Sequence, residues 1–175
     1  MQQKISSQTG MRVLGIDTAL RSTGVALIQA RGTMFAALAY ELIKNPPSRS
    51  RSACLAHLHH ALSAIIAREK PDALAVEGVF FCKNLKTAVV LGEARGAVLA
   101  AAAAAGIPVH EYAPRRVKQA VVGHGNASKE QVRRMIMKLL NLQEEPHTDA
   151  SDALAIALCH LQTVNSWSVL ASKTL

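Results

Sequence analysis

Apolar residues come in short blocks along the first third of the chain and then recur at helical spacing. Residues 12–17 form a compact apolar run, too hydrophobic for an exposed edge strand. Residues 24–29 form a second run, and 33–43 suit a third strand after the turn at Gly32. Asn45-Pro46-Pro47-Ser48 breaks the pattern, and Ser48 or Ser50 can cap a helix beyond it. Leu55, Leu58, Leu62, Ile65 and Ile66 then repeat as one face of an amphipathic helix ended by Pro71. Residues 73–77 read as a buried strand. Residues 84–105 read as one long helix stopped by Gly106, with small residues at its centre. A strand is expected over 107–112. A helix is expected from Pro114 to about Val122, and a second from the Ser128 capping box to Leu140. A last helix should run from near Asp149 to about Gln162. Three strands in succession, then strands alternating with helices, predict an α/β domain on a mixed five-stranded sheet flanked by helices.

Composition narrows the class. A chain of 175 residues, half of them hydrophobic, is most simply one folded domain. We expect residues 1–10 to be a flexible extension, 11–162 the domain, and 163–175 a disordered tail. The net charge of +8 favours an anionic partner, with nucleic acid ahead of a membrane or an acidic protein. Cys54, Cys82 and Cys159 are odd in number and widely spaced. They exclude a disulfide frame or a zinc site and suit reduced thiols in the cytoplasm. The polar start lacks the apolar core of a signal peptide, and the apolar stretch 97–105 is too short and alanine-rich to cross a bilayer. No membrane role is expected.

Four acids stand out against this background. Asp17 and Glu77 close the apolar runs 13–17 and 73–77, while Asp149 and Asp152 lie three apart at the start of the last helix. Taken singly, each has an ordinary structural role: a turn former, a strand end, a pair of partners for a helix dipole. Together their placements are each compatible with one end of one sheet, where uncompensated charges are costly. An oxygen cluster of this kind suits hard divalent cations. Two such ions about 3.5–4 Å apart can flank a phosphodiester. The run Gly15-Ile16-Asp17 followed by Ser22-Thr23-Gly24 also occurs in sugar kinases and actin-like ATPases, so a phosphotransferase is a rival reading.

Phe80 and Phe81 follow Glu77 closely, with Lys83 and Lys86 beside them. One ring is expected to be buried and one exposed for base stacking or wedging. Residues 111–140 carry seven basic side chains against two acids. Arg115, Lys118 and Lys129 are the phosphate-contact candidates, whereas Arg133, Arg134 and Lys138 suit a solvated helix face. His147 stands two residues before Asp149.

Read together, these segments resemble the RuvC family of Holliday junction resolvases. The resemblance is carried by Gly15-Ile16-Asp17, Val76-Glu77-Gly78-Val79-Phe80 with Lys83-Asn84, and Leu91-Gly92-Glu93-Ala94-Arg95-Gly96. It continues in Val117-Lys118-Gln119-Ala120-Val121-Val122-Gly123 and Asp149-Ala150-Ser151-Asp152-Ala153-Leu154-Ala155. It implies a ribonuclease H-like fold, a homodimer, and resolution of four-way DNA junctions by paired metal-dependent nicks that leave 5′-phosphate ends. It also implies that Asp17, Glu77, Asp149 and Asp152 hold two Mg²⁺ ions per subunit, with Mn²⁺ able to substitute. Phe80 would sit near the strand-exchange point, Lys118 and Lys129 by the DNA backbone, and RuvA and RuvB would be partners. A non-catalytic junction-binding protein is a further alternative, opposed by the presence of all four acids. One departure from the family pattern is Thr18-Ala19-Leu20 where Pro-Gly usually follows the first aspartate, which requires another loop path.

Overall fold

The computed structural model describes residues 10–78 and 84–171. Strands β1 (Met11–Asp17), β2 (Ser22–Arg31) and β3 (Met34–Lys44) come first, then α1 (Arg51–Glu69), β4 (Ala73–Glu77), α2 (Leu85–Ala104) and β5 (Val109–Tyr112). Helices α3 (Pro114–Val122), α4 (Lys129–Leu139) and α5 (Thr148–Ala171) complete the chain. The five strands form one mixed sheet in the order β3-β2-β1-β4-β5. β1 is antiparallel to β2 and parallel to β4, and β4 is parallel to β5.

Alternation along the strands divides the interior into two layers. Leu14, Ile16, Leu74 and Val76 point to the face covered by α1 and α2, where Leu58, Leu62, Val98 and Ala102 complete a fully buried cluster. Val13, Ala73 and Ala75 point to the other face, beneath α3, α4 and α5. On that second face small residues let α5 lie directly on the sheet. A Cβ at Gly15 would fall 2.1 Å from the Ala153 carbonyl oxygen, and one at Gly24 would fall 1.9 Å from that of Asp149. Both glycines are therefore packing glycines inside strands. Gly24 thus lies inside β2 under the start of α5 rather than in the connecting loop.

Local signals in the sequence match the boundaries. Ser50, rather than Ser48, caps α1, its side chain accepting from the Ala53 N–H. Ser128 and Gln131 close the capping box of α4, and Pro114 opens α3. Gly106 takes φ +68° just past α2. Cys54 and Cys159 are buried free thiols. The expected disordered tail from residue 163 is helical instead as far as Ala171. No proline or glycine interrupts residues 162–171, and the Thr163 hydroxyl donates to the Cys159 carbonyl, continuing the last turns of α5. The expected flexible extension falls on residues 1–9, outside the described residues, apart from Gly10.

Candidate active site

The pleat decides where the first two acids point. Ile16 pairs with Val76 across the parallel β1–β4 ladder, so Asp17 and Glu77 come next, side by side at the same strand ends. Both fall one residue beyond Ile16 and Val76, which face α1 and α2, so both carboxylates turn to the α5 side. Asp17 also pairs with Gly24 on β2, and the bare Gly24 backbone meets Asp149 at the start of α5. Asp152, one turn further on, shares the helix face of Asp149. The four acids of three chain segments thus converge at one end of one sheet.

Their electrostatics show the convergence directly. The carboxyl of Asp17 is raised from an ordinary value of 3.8 to about 7. Burial is the largest cause, followed by the charges of Asp152, Glu77 and Asp149, with Lys129 opposing. Glu77 is raised too, first by burial and then by Asp152, with Lys129 and Lys118 pulling the other way. The Lys129 ammonium donates to Asp152 Oδ2 at 3.0 Å and is itself raised, first through that bond. Ser22 donates to Asp149 Oδ2. His147 Nδ1 accepts from the Asp149 N–H at 3.3 Å and lies 3.8 Å from Asp149 Oδ2.

Among the described residues, no three His, Cys, Asp or Glu side chains are arranged to hold an ion by themselves. Two of the acids are engaged with protein donors, Asp152 with Lys129 and Asp149 with Ser22. The donor chemistry nevertheless fits a hard divalent cation: four carboxylates, one of them raised to about 7 by burial and by the charges of the other three. Lys129 supplies a positive charge to this cluster. Its side chain is 76% exposed, so it can leave Asp152 without breaking the core.

Beside the acids lies a cavity of about 240 Å³, lined by Glu77, Lys118, Lys129 and Asp152 and by an apolar wall that includes Pro114, Val117, Val132 and Ile156. The structure therefore brings Asp17, Glu77, Asp149, Asp152, Lys118 and Lys129 together. Arg115 is not part of this lining: it lies exposed, its side chain against Gly125 in the loop after α3. Lys86 lies exposed in the first turn of α2, whose cap is the Asn84 side chain. Phe80, Phe81 and Lys83 lie outside the described residues.

Against the family of known proteins, the match is extensive. The family model for crossover junction endodeoxyribonuclease RuvC matches residues 13–160. The chain belongs to the RuvC family. A RuvC from Syntrophomonas wolfei is 45% identical over 164 residues, which span 93% of this chain and 95% of the relative. One from Moorella thermoacetica is 46% identical over 151 residues, 86% of this chain and 90% of the relative. Among solved structures, Thermus thermophilus RuvC in complex with a Holliday junction substrate superimposes with a TM-score of 0.86 at 37% identity, covering 90% of this chain and 97% of that one. The yeast mitochondrial resolvase Ydc2, at 12% identity and a TM-score of 0.67, shares the fold. This RuvC family member is thus a nuclease on a ribonuclease H-like fold, as the sequence implied.

Sequence reasoning gave no role to one residue that this RuvC family member places beside the acids. Arg95 of α2 donates to the backbone carbonyl of Glu77 at 2.7 Å and pairs with Glu111 on β5. Its side chain is only 15% exposed. It ties the end of β4 to the helix above it and so fixes where the Glu77 side chain starts. The signal in the sequence is one arginine among small residues in 92–97. Truncation to Ala leaves a half-buried carbonyl and a carboxylate unpaired. We expect Arg95→Ala to cost about 2 kcal/mol, or roughly 4–8 °C in melting temperature, and to slow cutting more than Arg95→Lys does. Thermal melts and single-turnover cleavage rates check both parts.

Proposed function

We propose that this chain is a structure-specific endonuclease that resolves four-way DNA junctions in recombination and repair, with Asp17, Glu77, Asp149 and Asp152 as its metal-binding catalytic acids. The observation that carries the assignment of residues is the meeting of these four acids at one sheet end, with Asp17 raised to about 7 first by burial and then by the charges of the other three. RuvC nucleases depend on divalent metals. We read the physiological ion as Mg²⁺, two per subunit, with Mn²⁺ as a substitute. Such ions, when bound, supply a water of lowered pKa and neutralise charge on the leaving oxygen.

The chain's own residues supply the rest. The acids hold their oxygens on a rigid sheet end and helix start. Lys118 and Lys129 draw the phosphate backbone toward the cavity, and Lys129 can exchange its contact with Asp152 for one to phosphate. The apolar wall of α3, α4 and α5 excludes water from one side of the cluster. Arg115, Lys83 and Lys86 extend the basic surface away from the acids. Cutting leaves 5′-phosphate ends, at paired positions in strands of like polarity.

A junction is cut twice, and each chain carries one set of acids, so we read the working form as a homodimer. RuvA and RuvB would present the junction to it, and its place of work is the cytoplasm. Helix α2 has the length and mean hydropathy, 1.4, of a membrane span. However, Ala94, Val98, Ala101 and Ala102 pack it on the core, and Lys86, Glu93 and Arg95 interrupt its length. It is read as a docked helix with a free outer face.

The test is incubation with a synthetic four-way junction, with and without Mg²⁺, beside linear duplex and ATP hydrolysis controls. Symmetric nicks on the junction alone, only with metal, support the reading. ATP hydrolysis, or equal cutting of linear duplex, would overturn it. Phe80, three residues past Glu77, is read as the aromatic that holds the exchange point open. Phe80→Ala should slow cutting about tenfold or more while junction affinity changes less, since base stacking contributes ~1–3 kcal/mol. Cleavage rates beside gel-shift affinities check this.

A further inference from the structure

We infer that Ser22 is a positioning residue for Asp149, delivered by the Thr18–Arg21 loop. This rests on the reading of Asp149 as a metal-binding acid. Ser22 opens β2, and its hydroxyl donates to Asp149 Oδ2. Ser22 and Gly24 fall on the same face of that strand, toward α5. Gly24 lets the Asp149 backbone come close, and Ser22 then holds the side chain of the same residue. Main chain and carboxylate are thus both fixed by one short stretch of β2.

The loop before Ser22 is built to keep that hydroxyl in place. Leu20 is 8% exposed and belongs to the core cluster with Leu14 and Ile16. The buried Asn45 side chain donates to the Leu20 carbonyl at 2.8 Å, and the Asn45 N–H donates to the Arg21 carbonyl at 2.9 Å. On the other side, the Thr23 hydroxyl donates to the Ala19 carbonyl at 2.5 Å and accepts from the Ala19 N–H. Arg21 clamps the outer turn, donating to the carbonyls of Pro46 and Arg49. Both neighbours of Ser22 are therefore held by the fold, and the mobile partner in the contact is the Asp149 carboxylate. A hydrogen bond to Oδ2 restricts its rotation and leaves Oδ1 for an ion. Outer partners of ligating carboxylates act in this way, and losing one costs about 10–100-fold in metal affinity or activity.

The test is Ser22→Ala with Ser22→Thr, which keeps the hydroxyl, and Asp149→Asn beside them. Mn²⁺ binding to the DNA-free protein is measured by titration calorimetry. Melting temperature, junction affinity in EDTA, and the Mg²⁺ concentration for half-maximal cutting are measured in parallel. Ser22→Ala should weaken Mn²⁺ binding about tenfold and raise the Mg²⁺ requirement by a similar factor. Melting and junction affinity should stay unchanged, and Ser22→Thr should recover most of the loss. Unchanged Mn²⁺ affinity in Ser22→Ala would overturn the inference. So would a lowered melting temperature with no recovery in Ser22→Thr, which marks a merely structural role. If Asp149→Asn itself binds Mn²⁺ and cuts normally, the reading of Asp149 fails. If Asp149→Asn is inert while Ser22→Ala is normal, only the role of Ser22 fails.

Discussion

Asp17→Asn is expected to abolish junction cutting and, in EDTA, to raise the melting temperature. The two effects have one cause. Asp17 is buried among three other acids, and in the metal-free protein its charge is opposed by burial and by each of them. Removing the charge relieves that opposition while keeping the shape of the side chain. With metal present, the same oxygen is a ligand, and an amide is a far poorer one. Loss of a ligand should cost more than the ~100-fold that loss of an outer partner costs, so cutting should fall by more than that. Junction binding should remain, because it rests on lysines and arginines. Added Mg²⁺ or Mn²⁺ should stabilise the parent through binding to the folded state alone, and the variant much less. Near-normal cutting by Asp17→Asn would remove it from the catalytic set.

The same shift fixes a pH dependence. The folded-state value, about 7, lies above the ordinary 3.8, so the folded protein holds more protons between those limits. Stability from this group is full below about pH 4 and is lost as pH rises through 7. The loss is on the order of 4 kcal/mol at most, and Glu77, raised in the same direction, adds to it. Metal binding must displace the bound proton, so metal affinity should fall below pH 7. Melts in EDTA from pH 5 to 8 should show the decline in the parent and a flatter profile in Asp17→Asn. An identical profile in both would show that the charge of Asp17 is not what the cluster opposes.

Much of this was legible in the sequence because local rules and tertiary packing agree. Apolar runs, breakers and capping residues located the five strands and five helices of the described residues. The acids stood out because a charge at the end of a buried run has no ordinary stabilising use. The features that were not legible involve contacts between distant segments. Nothing local says that Ser22 reaches Asp149 or that Arg95 reaches the carbonyl of Glu77. Gly24 shows the same limit: nothing local says that it admits the start of α5 to the sheet. Arg115 was grouped with Lys118 by charge alone, and the turn after α3 draws it toward Gly125. The last helix outran its expected end because its apolar periodicity fades before its helix-compatible residues do.

If the homodimer forms through α2, folding and association should separate on that helix, and Gly96→Leu tests this. Its inner side is fixed by Ala94, Val98, Ala101 and Ala102. Its outer side exposes Leu85 at 80% and Val89 at 48%. A Cβ at Gly92 or Gly96 would meet nothing within 4 Å, and Ala100 is exposed beside them. Residues 85, 89, 92, 96 and 100 form one stripe along the helix. It is apolar at one end and bare enough for close approach in the middle, as two copies of one helix crossing on a twofold axis require. Position 96 is exposed with open space at its Cβ, and leucine favours the helix by up to about 1 kcal/mol over glycine. The fold should therefore be as stable as before, while a second helix can no longer seat against it. Light scattering at micromolar concentration should find the parent dimeric and Gly96→Leu largely monomeric, with Ala100→Arg giving the same result by charge. On a four-way junction these variants should bind more weakly and nick the two strands independently, so that single-nicked junctions accumulate. A parent that stays monomeric on the junction would end the paired-nick mechanism. A dimer untouched by both substitutions would keep the mechanism and move the interface off α2.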